Sequence, residues 1–233
     1  FAVVFAKEVF GGTGYNIFNV ALVTRAFLFF AYPAAMSGDK VFVRTADTFG
    51  LGAGPVVDGF SGATPLGIAS TATSGTGYPA FSMDMITGLI PGSIGETSVI
   101  AIAIGAVLLL WTGIASWKTM LSVFVGGALT AWMFNAIGME SNAMANMPWY
   151  EHLVLGGFCF GAVFMATDYV TSPMTARGQL IYGVAIGLIT VVIRNWGSYP
   201  EGMSFAILIM NAFTPLINTY VKPKRFGEVP AKN

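Results

Sequence analysis

Apolar residues dominate this chain in long uninterrupted runs. Six of these runs come close to the roughly 20 residues that a helix needs to cross about 30 Å of hydrocarbon. Transmembrane strands would instead alternate apolar and polar residues over about ten positions, and these runs do not alternate. The pattern predicts an all-α integral membrane protein whose transmembrane helices lie at 15–36, 97–116, 119–138, 152–170, 178–196 and 203–221.

The composition agrees with lipid as the solvent for much of the surface. Of the 233 residues, 55% are hydrophobic and 9% are charged, whereas about a quarter of the residues in soluble domains are charged. The formal net charge is zero, and no basic stripe is present to neutralise phosphates, which argues against a nucleic-acid partner. Cys159, the single cysteine, lies in an apolar run and is interpreted as a small packed hydrophobe.

The segments around these runs divide the chain into five parts. Residues 1–14 are expected to end a preceding helix and to break at glycines, so that the chain would be the C-terminal part of a longer protein. Residues 15–36 form the first span, and 37–96 form a long segment rich in Gly, Ser, Thr and Pro. A bundle of five helices is expected over 97–221, followed by a tail at 222–233.

Basic residues predict the orientation, because short cytoplasmic loops are enriched in Lys and Arg. Lys118, Arg177 and Lys222 mark two turns and the tail as cytoplasmic, and the short loops that alternate with them carry no basic residue. This alternation places 37–96 on the outer, periplasmic face. Lys40 and Arg44 oppose that placement weakly, since the rule loses its force for a segment of about 60 residues.

The outer segment contains a group of small residues around one hydroxyl, Asp58-Gly59-Phe60-Ser61-Gly62-Ala63-Thr64-Pro65. Loops longer than about 15 residues are usually functional or disordered, and recurring aromatic residues argue against disorder here. On the residues alone, a Gly-rich turn that Asp58 caps and Pro65 ends is the simpler interpretation. The small neighbours also leave room for a bulky group on Thr64.

The pattern Asp-x-x-Ser-Gly-Ala-Thr at 58–64 resembles the acceptor motif on which a flavinyl transferase places FMN, through a phosphoester to the threonine hydroxyl. The rest of the chain is similar to the B-subunit family of the sodium-translocating NADH:quinone reductase. The D subunit of the related Rnf complex shares the motif and the fold, but the loops around Met147 and His152 favour the sodium pump. Stretches that carry the resemblance are 6–14, 25–33, 135–138, 147–150, 152–158, 165–168 and 199–203.

The resemblance implies electron transfer coupled to sodium export in the bacterial inner membrane. FMN on Thr64 would take an electron from another FMN-bearing subunit and pass it toward non-covalent riboflavin and then quinone, after an NADH dehydrogenase subunit has oxidised NADH. Ser61, Gly62 and Ala63 would allow close approach of the backbone, and Asp58 would belong to the signal that the transferase reads. The transferase works outside the cytoplasmic membrane, which agrees with the outward placement of Thr64.

Several ionisable residues lie in or near apolar runs, where charges are costly and often functional. Arg25 is expected to pair with a flavin phosphate or a carboxylate, or only to snorkel. Asp168 is either a helix-end residue or a carboxylate of the sodium pathway, since a hard cation prefers oxygen ligands. Arg194 is expected to anchor the outer interface, and His152, the only histidine, to be structural. The family tends to have an aspartate where this chain has Asn218.

Two other classes of function fit the composition and the predicted helices equally well. One is a transporter or channel without a redox cofactor, in which 37–96 gates or re-enters the membrane. The other is a scaffolding subunit whose residues affect turnover only through assembly. The acceptor motif favours the flavin-bearing subunit over both.

Overall fold

A computed structural model describes residues 1–12, 14–32, 64–72, 75–90, 92, 95–139, 142–197 and 202–222. All regular elements in these ranges are helical. A π-helix and a 3-10 helix, Ala2–Lys7 and Glu8–Phe10, come first. The α-helices that follow are α1 Val20–Ala31, α2 Pro65–Thr71, α3 Asp84–Thr87, α4 Val99–Trp111, α5 Trp117–Ile137, α6 Ala143–Asn146, α7 Trp149–Val154, α8 Phe158–Phe160, α9 Ala176–Trp196 and α10 Met203–Tyr220.

Three of these helices are long and apolar enough to cross a membrane. They are α5, α9 and α10, with mean hydropathies of 1.6, 1.7 and 1.2 over their most apolar 18 residues. The helices α1 and α4 are apolar but have 12 and 13 residues, which is short of about 30 Å of hydrocarbon at roughly 1.5 Å per residue. The all-α membrane class is therefore confirmed, whereas six full-length spans are not found among the described residues.

The predicted continuous helix over 152–170 is wrong. The chain leaves the helix after α7, because Leu155 is extended with φ −83° and ψ 147°. Gly156 then turns the chain with a φ of +64° before α8 begins. A π-helix, Gly161–Met165, continues α8. The sequence misled here because the Gly156-Gly157 pair also suits close helix packing, for which glycines are common in membranes.

The helices α5 and α9 form the centre of the bundle, and glycines let their backbones touch. A Cβ built on Gly187 would lie against the backbone of Val123 and Gly127, and one on Gly126 would lie against the carbonyl of Val184. The Gly126-Gly127 pair therefore has a role in packing the two helices. Only a residue without a side chain fits at such an approach, so the separation of the two helices depends on these glycines.

The same two helices run parallel, which gives the bundle two different ends. Ser116, before α5, donates a hydrogen bond of 2.8 Å to Gln179 in the first turn of α9. At the other end, the rings of Phe134 and Trp196 meet edge-on with centroids 5.2 Å apart. The helix α10 runs back along α9, since Thr190 near the end of α9 contacts Met203 at the start of α10.

Basic residues gather at one of these ends. Lys118 and Arg177 lie in the first turns of α5 and α9, and Lys222 follows the last turn of the antiparallel α10. The opposite end contains the end of α5, the segment that follows it, and the end of α9, where Asn142 Nδ2 donates to the Asn195 carbonyl over 2.8 Å. We call these the basic end and the opposite end.

Replacing Gly187 by leucine is expected to separate α5 from α9 and to lower the free energy of unfolding by about 3 kcal/mol, the upper part of the usual range for overpacking. Denaturant titration of the purified protein in detergent measures this loss. Val125→Leu is the matched control, because Val125 lies on the same helix pair but is 42% exposed. Equal stability of the two variants would contradict the close contact at Gly187.

Candidate functional site

Thr64 lies immediately before α2 and caps it. Its backbone is extended, and its Oγ1 accepts a hydrogen bond of 3.0 Å from the Gly67 N–H. Pro65 occupies the first helical position, where a missing N–H costs nothing. The cap uses a lone pair of the oxygen and not its proton. A substituent on Oγ1 would therefore replace the proton and leave the capping geometry available.

The other residues of the predicted motif, Asp58, Ser61, Gly62 and Ala63, lie outside the described residues. Only Thr64 and the helix that follows it bear on the motif. Their position is set by packing, because one face of α2 is buried at the opposite end of the bundle. Leu66 and Ala69 are each 2% exposed. The apolar cluster around them also contains Met85, Met144, Met147 and Leu155.

A narrow cleft lies beside Thr64, with a volume of about 10 Å³, which is room for about one water molecule. The buried side chain of Glu96 contributes an acidic group to its lining. The lining consists of Thr64, Pro65, Leu66, Ile90, Gly92, Glu96, Thr97, Val154 and Gly156. The cleft itself has no room for a bulky group, so a group attached to the half-buried Thr64 hydroxyl would extend away from it.

Arg194 holds the broken segment that forms one wall of the cleft. Its guanidinium donates through Nη1 to the His152 carbonyl over 2.5 Å and through Nη2 to the Leu155 carbonyl over 2.9 Å. The Phe158 ring lies 5.7 Å from Cζ, within the range of a cation–π contact. Arg194 is only 2% exposed. The expectation that Arg194 anchors the outer interface is therefore wrong. Its place near the end of an apolar run did not distinguish a buried arginine from an interfacial one.

The histidine at the same place is fully buried and bonded to backbone. His152 Nε2 lies 3.0 Å from the Met144 carbonyl, so it ties α7 to α6. Its neighbour Glu151 is 2% exposed, and burial raises the pKa of that carboxyl. These contacts agree with the expected structural role of His152.

The structure does not bring the other two candidate residues to the cleft. Arg25 lies half-buried on α1 and is not among the described lining residues. Asp168 lies toward the basic end, in the turn that precedes α9. Its carboxylate accepts hydrogen bonds from Asn19 Nδ2 at 3.3 Å, Thr171 Oγ1 at 3.2 Å and the Val170 N–H at 3.3 Å. Among the described residues, no three His, Cys, Asp or Glu side chains cluster as metal ligands.

Sequence reasoning missed Glu96, Gly156 and Arg194 as parts of this site. Glu96 closes the long segment and had no motif around it, and Arg194 lies 130 positions after Thr64 in the numbering. A positive φ at Gly156 and the hydrogen bonds of Arg194 leave no pattern in a single sequence. The sequence therefore contained no signal that would have assigned Glu96, Gly156 or Arg194 to the site.

Comparison with known proteins identifies the family of the chain. The sequence model described as the NQR2, RnfD, RnfE family matches residues 1–227. The chain belongs to this family. The predicted resemblance is confirmed by relatives that are named as the B subunit of Na(+)-translocating NADH-quinone reductase. The protein of that name from Chromohalobacter salexigens is 53% identical over 222 residues, which is 94% of this chain and 51% of that protein.

Two further relatives with the same name agree with this membership. The Klebsiella pneumoniae protein is 49% identical over 228 residues, covering 95% of this chain and 52% of its own length. The Pseudomonas aeruginosa protein is 49% identical over 236 residues, covering 100% of this chain and 56% of its own length. The chain thus spans about half the length of the curated relatives that it matches.

Replacing Gly156 by alanine is expected to destabilise the wall of the cleft. A Cβ there would lie against Leu66 Cδ1 and 3.2 Å from Arg194 Nη2. Gly138→Ala is the matched control, because Gly138 has the same φ of +64° with nothing within 4 Å of the added Cβ. Both variants lose stability through the positive φ, which L-residues rarely adopt, and Gly156→Ala loses a further ~2 kcal/mol from overpacking. Thermal unfolding in detergent that lowers both variants equally would contradict the packing of α2 on the break.

Proposed function

We propose that this chain is part of the B subunit of a Na⁺-translocating NADH:quinone reductase and that it carries FMN on Thr64 Oγ1 through a phosphoester. The observation that carries the proposal is the position of this half-buried hydroxyl at the N-cap of α2, at the end of the acceptor motif. The names of the relatives support the same assignment. The proposal makes the chain a multi-pass component of an oxidoreductase complex that has no activity alone.

The protein's own contribution is positioning. When bound, the flavin supplies one-electron redox chemistry, and the chain supplies its attachment point, its neighbours and its access to water. Thr64 would hold the phosphoryl group, and Gly92 and Gly156 would let the lining segments pack closely against Thr97 and Leu66. The electron would come from another FMN-bearing subunit and pass toward non-covalent riboflavin and quinone.

The proposed orientation places Thr64 in the periplasm and the C-terminus in the cytoplasm. Lys118, Arg177 and Lys222 lie together at the basic end, which the positive-inside rule assigns to the cytoplasm. The cleft is built on residues of the opposite end. The same orientation presents Thr64 to a flavinyl transferase that works outside the cytoplasmic membrane.

Thr64→Ala is expected to abolish covalent flavin in the complex purified from membranes, because alanine offers no oxygen for the phosphoester. In-gel fluorescence after denaturing electrophoresis measures the covalent flavin, and mass spectrometry of the peptide that holds Thr64 locates it. Thr71→Ala is the control, since Thr71 ends the same short helix and bonds only to backbone. A fluorescent band that persists in Thr64→Ala would rule out this attachment point.

We further propose that Asp168 is a carboxylate of the sodium pathway. It is half-buried, and the hydroxyl of Thr171 lies within hydrogen-bond distance of its carboxylate. Carboxylate oxygens are ligands that hard cations prefer. The family's aspartate near the end of the last span is replaced by Asn218, whose Oδ1 accepts from the Met174 N–H at 3.1 Å. Asp168 therefore supplies the charge that Asn218 does not.

Asp168→Asn is expected to weaken the sodium dependence of quinone reduction, with half-saturation moving to higher sodium by about tenfold, the equivalent of one lost charge-assisted contact. Steady-state turnover of the whole complex against sodium concentration measures this shift. Asp84→Asn, on the exposed first turn of α3, is the control. The proposal fails if Asp168→Asn titrates with sodium as the unmodified complex does.

An Rnf-type D subunit is the second candidate, because the matching family also includes RnfD. The relatives at about half identity are named as components of the sodium pump, which favours the B subunit. A transporter without a redox cofactor has no specific observation in its favour.

A further inference from the structure

We infer that Arg194 is the positioning residue of the Thr64 cleft: it fixes the break between α7 and α8, and through Gly156 this break sets where α2 and its capping Thr64 lie. The inference rests on the proposed attachment of FMN to Thr64. It assigns to a residue 130 positions away in sequence the task of aligning the acceptor.

The backbone carbonyls at the break depend on Arg194 for their hydrogen bonds. A helix leaves its last carbonyls without partners inside the helix, and His152 and Leu155 are buried away from water, where an unpaired polar group is costly. Arg194 donates to the carbonyls of His152 and Leu155, in the last turn of α7 and directly after it. The planar guanidinium presents two donors at a fixed spacing, so it holds both carbonyls in one geometry. The path of the chain at 155–157 therefore depends on this side chain.

The break also contacts α2. Gly156 follows Leu155 and lines the cleft, and a Cβ added to it would touch Leu66 on one side and come within 3.2 Å of Arg194 Nη2 on the other. Leu66 and Leu155 also belong to one apolar cluster. The guanidinium, the glycine and Leu66 thus form a stack in which a shift of one moves the next.

Leu66 connects this stack to Thr64. Leu66 is the second residue of α2, and Thr64 caps that helix through Gly67. A displacement of Leu66 displaces the first turn of α2 and with it Thr64 Oγ1. Arg194 itself is held by its place in the last turn of α9, where the helix dipole favours a cation, and by the Phe158 ring. The position of Thr64 therefore depends on the position of α9 in the central bundle.

The test compares Arg194→Ala with Arg194→Lys in the whole complex purified from membranes. Covalent flavin per complex is read from in-gel fluorescence, and its midpoint potential from spectroelectrochemical titration. Arg194→Ala is expected to lower covalent flavin by about tenfold, since it leaves two buried carbonyls without a donor. The remaining flavin is expected to have a shifted midpoint potential. Arg194→Lys, which keeps a charged donor, is expected to restore most of the flavin.

Two controls separate a local effect from a general one. Arg177→Ala removes a cation from the other end of the same helix and is expected to leave covalent flavin unchanged. Non-covalent riboflavin per complex reports whether the bundle is intact, and it is expected to be equal in all variants. If Arg194→Ala does not assemble, Gly156→Ala disturbs the same stack with Arg194 in place and is expected to lower covalent flavin as well.

The outcomes distinguish this inference from the function on which it rests. If the unmodified complex carries no flavin on Thr64, the proposed function fails. If it does carry flavin there, and Arg194→Ala or Gly156→Ala carries the same amount at the same midpoint potential, only the positioning role fails. A loss of riboflavin and covalent flavin together that lysine does not rescue would show a general structural role and also overturn the inference.

Discussion

A helix that breaks inside an apolar bundle needs donors for the carbonyls that it leaves behind, and this constraint shapes the site. A buried backbone group without a hydrogen-bond partner costs on the order of a few kcal/mol. The segment at 149–165 breaks between α7 and α8, and the guanidinium of Arg194 supplies two of the missing donors. The break is tolerated because Arg194 is present, and the cleft exists because the segment breaks. A continuous helix over the same residues would have no turn at Gly156 to form a wall beside Thr64.

The parallel arrangement of α5 and α9 brings the parts of the cleft to one place. Because the two helices begin together, they also end together, and the connections after α5 and before α8 meet the last turn of α9 at the opposite end. Hydrogen bonds from Asn135 to the carbonyls of Ala145 and Met147 extend this meeting point to the elements that cover α2. Glycine contacts within the bundle thus determine how closely the supports of the acceptor assemble.

The sequence predicted the class of fold well and the site in part. Run length and low charge were enough for an all-helical membrane protein, because lipid imposes them on any such chain. Run length was a poor guide at 152–170, where tertiary contacts to Arg194 and Leu66 decide the backbone and apolar composition does not. Thr64 was found through a local motif, whereas Arg194 belongs to the site only through contacts between distant parts of the chain. Such contacts leave no pattern within a window of sequence, and for this reason the buried charge of Arg194 was predicted to be an interface anchor.

The two proposed functional positions lie toward different ends of the bundle, which limits how they influence each other. Asp168 lies in the turn before α9 and Arg194 in its last turn, so the helix between them spans roughly 27 Å at the rise of an α-helix. At that distance and an effective dielectric constant near 20, one unit charge changes the energy of another by about 0.6 kcal/mol. This is a few-fold change in sodium affinity, too small to drive a pump by direct attraction. In the proposed function, an electron that arrives at Thr64 would therefore act on Asp168 through intermediate carriers or through movement of the bundle. The rigid glycine contacts between α5 and α9 oppose sliding within the pair, so such movement would fall on the elements around them, α1 and α10.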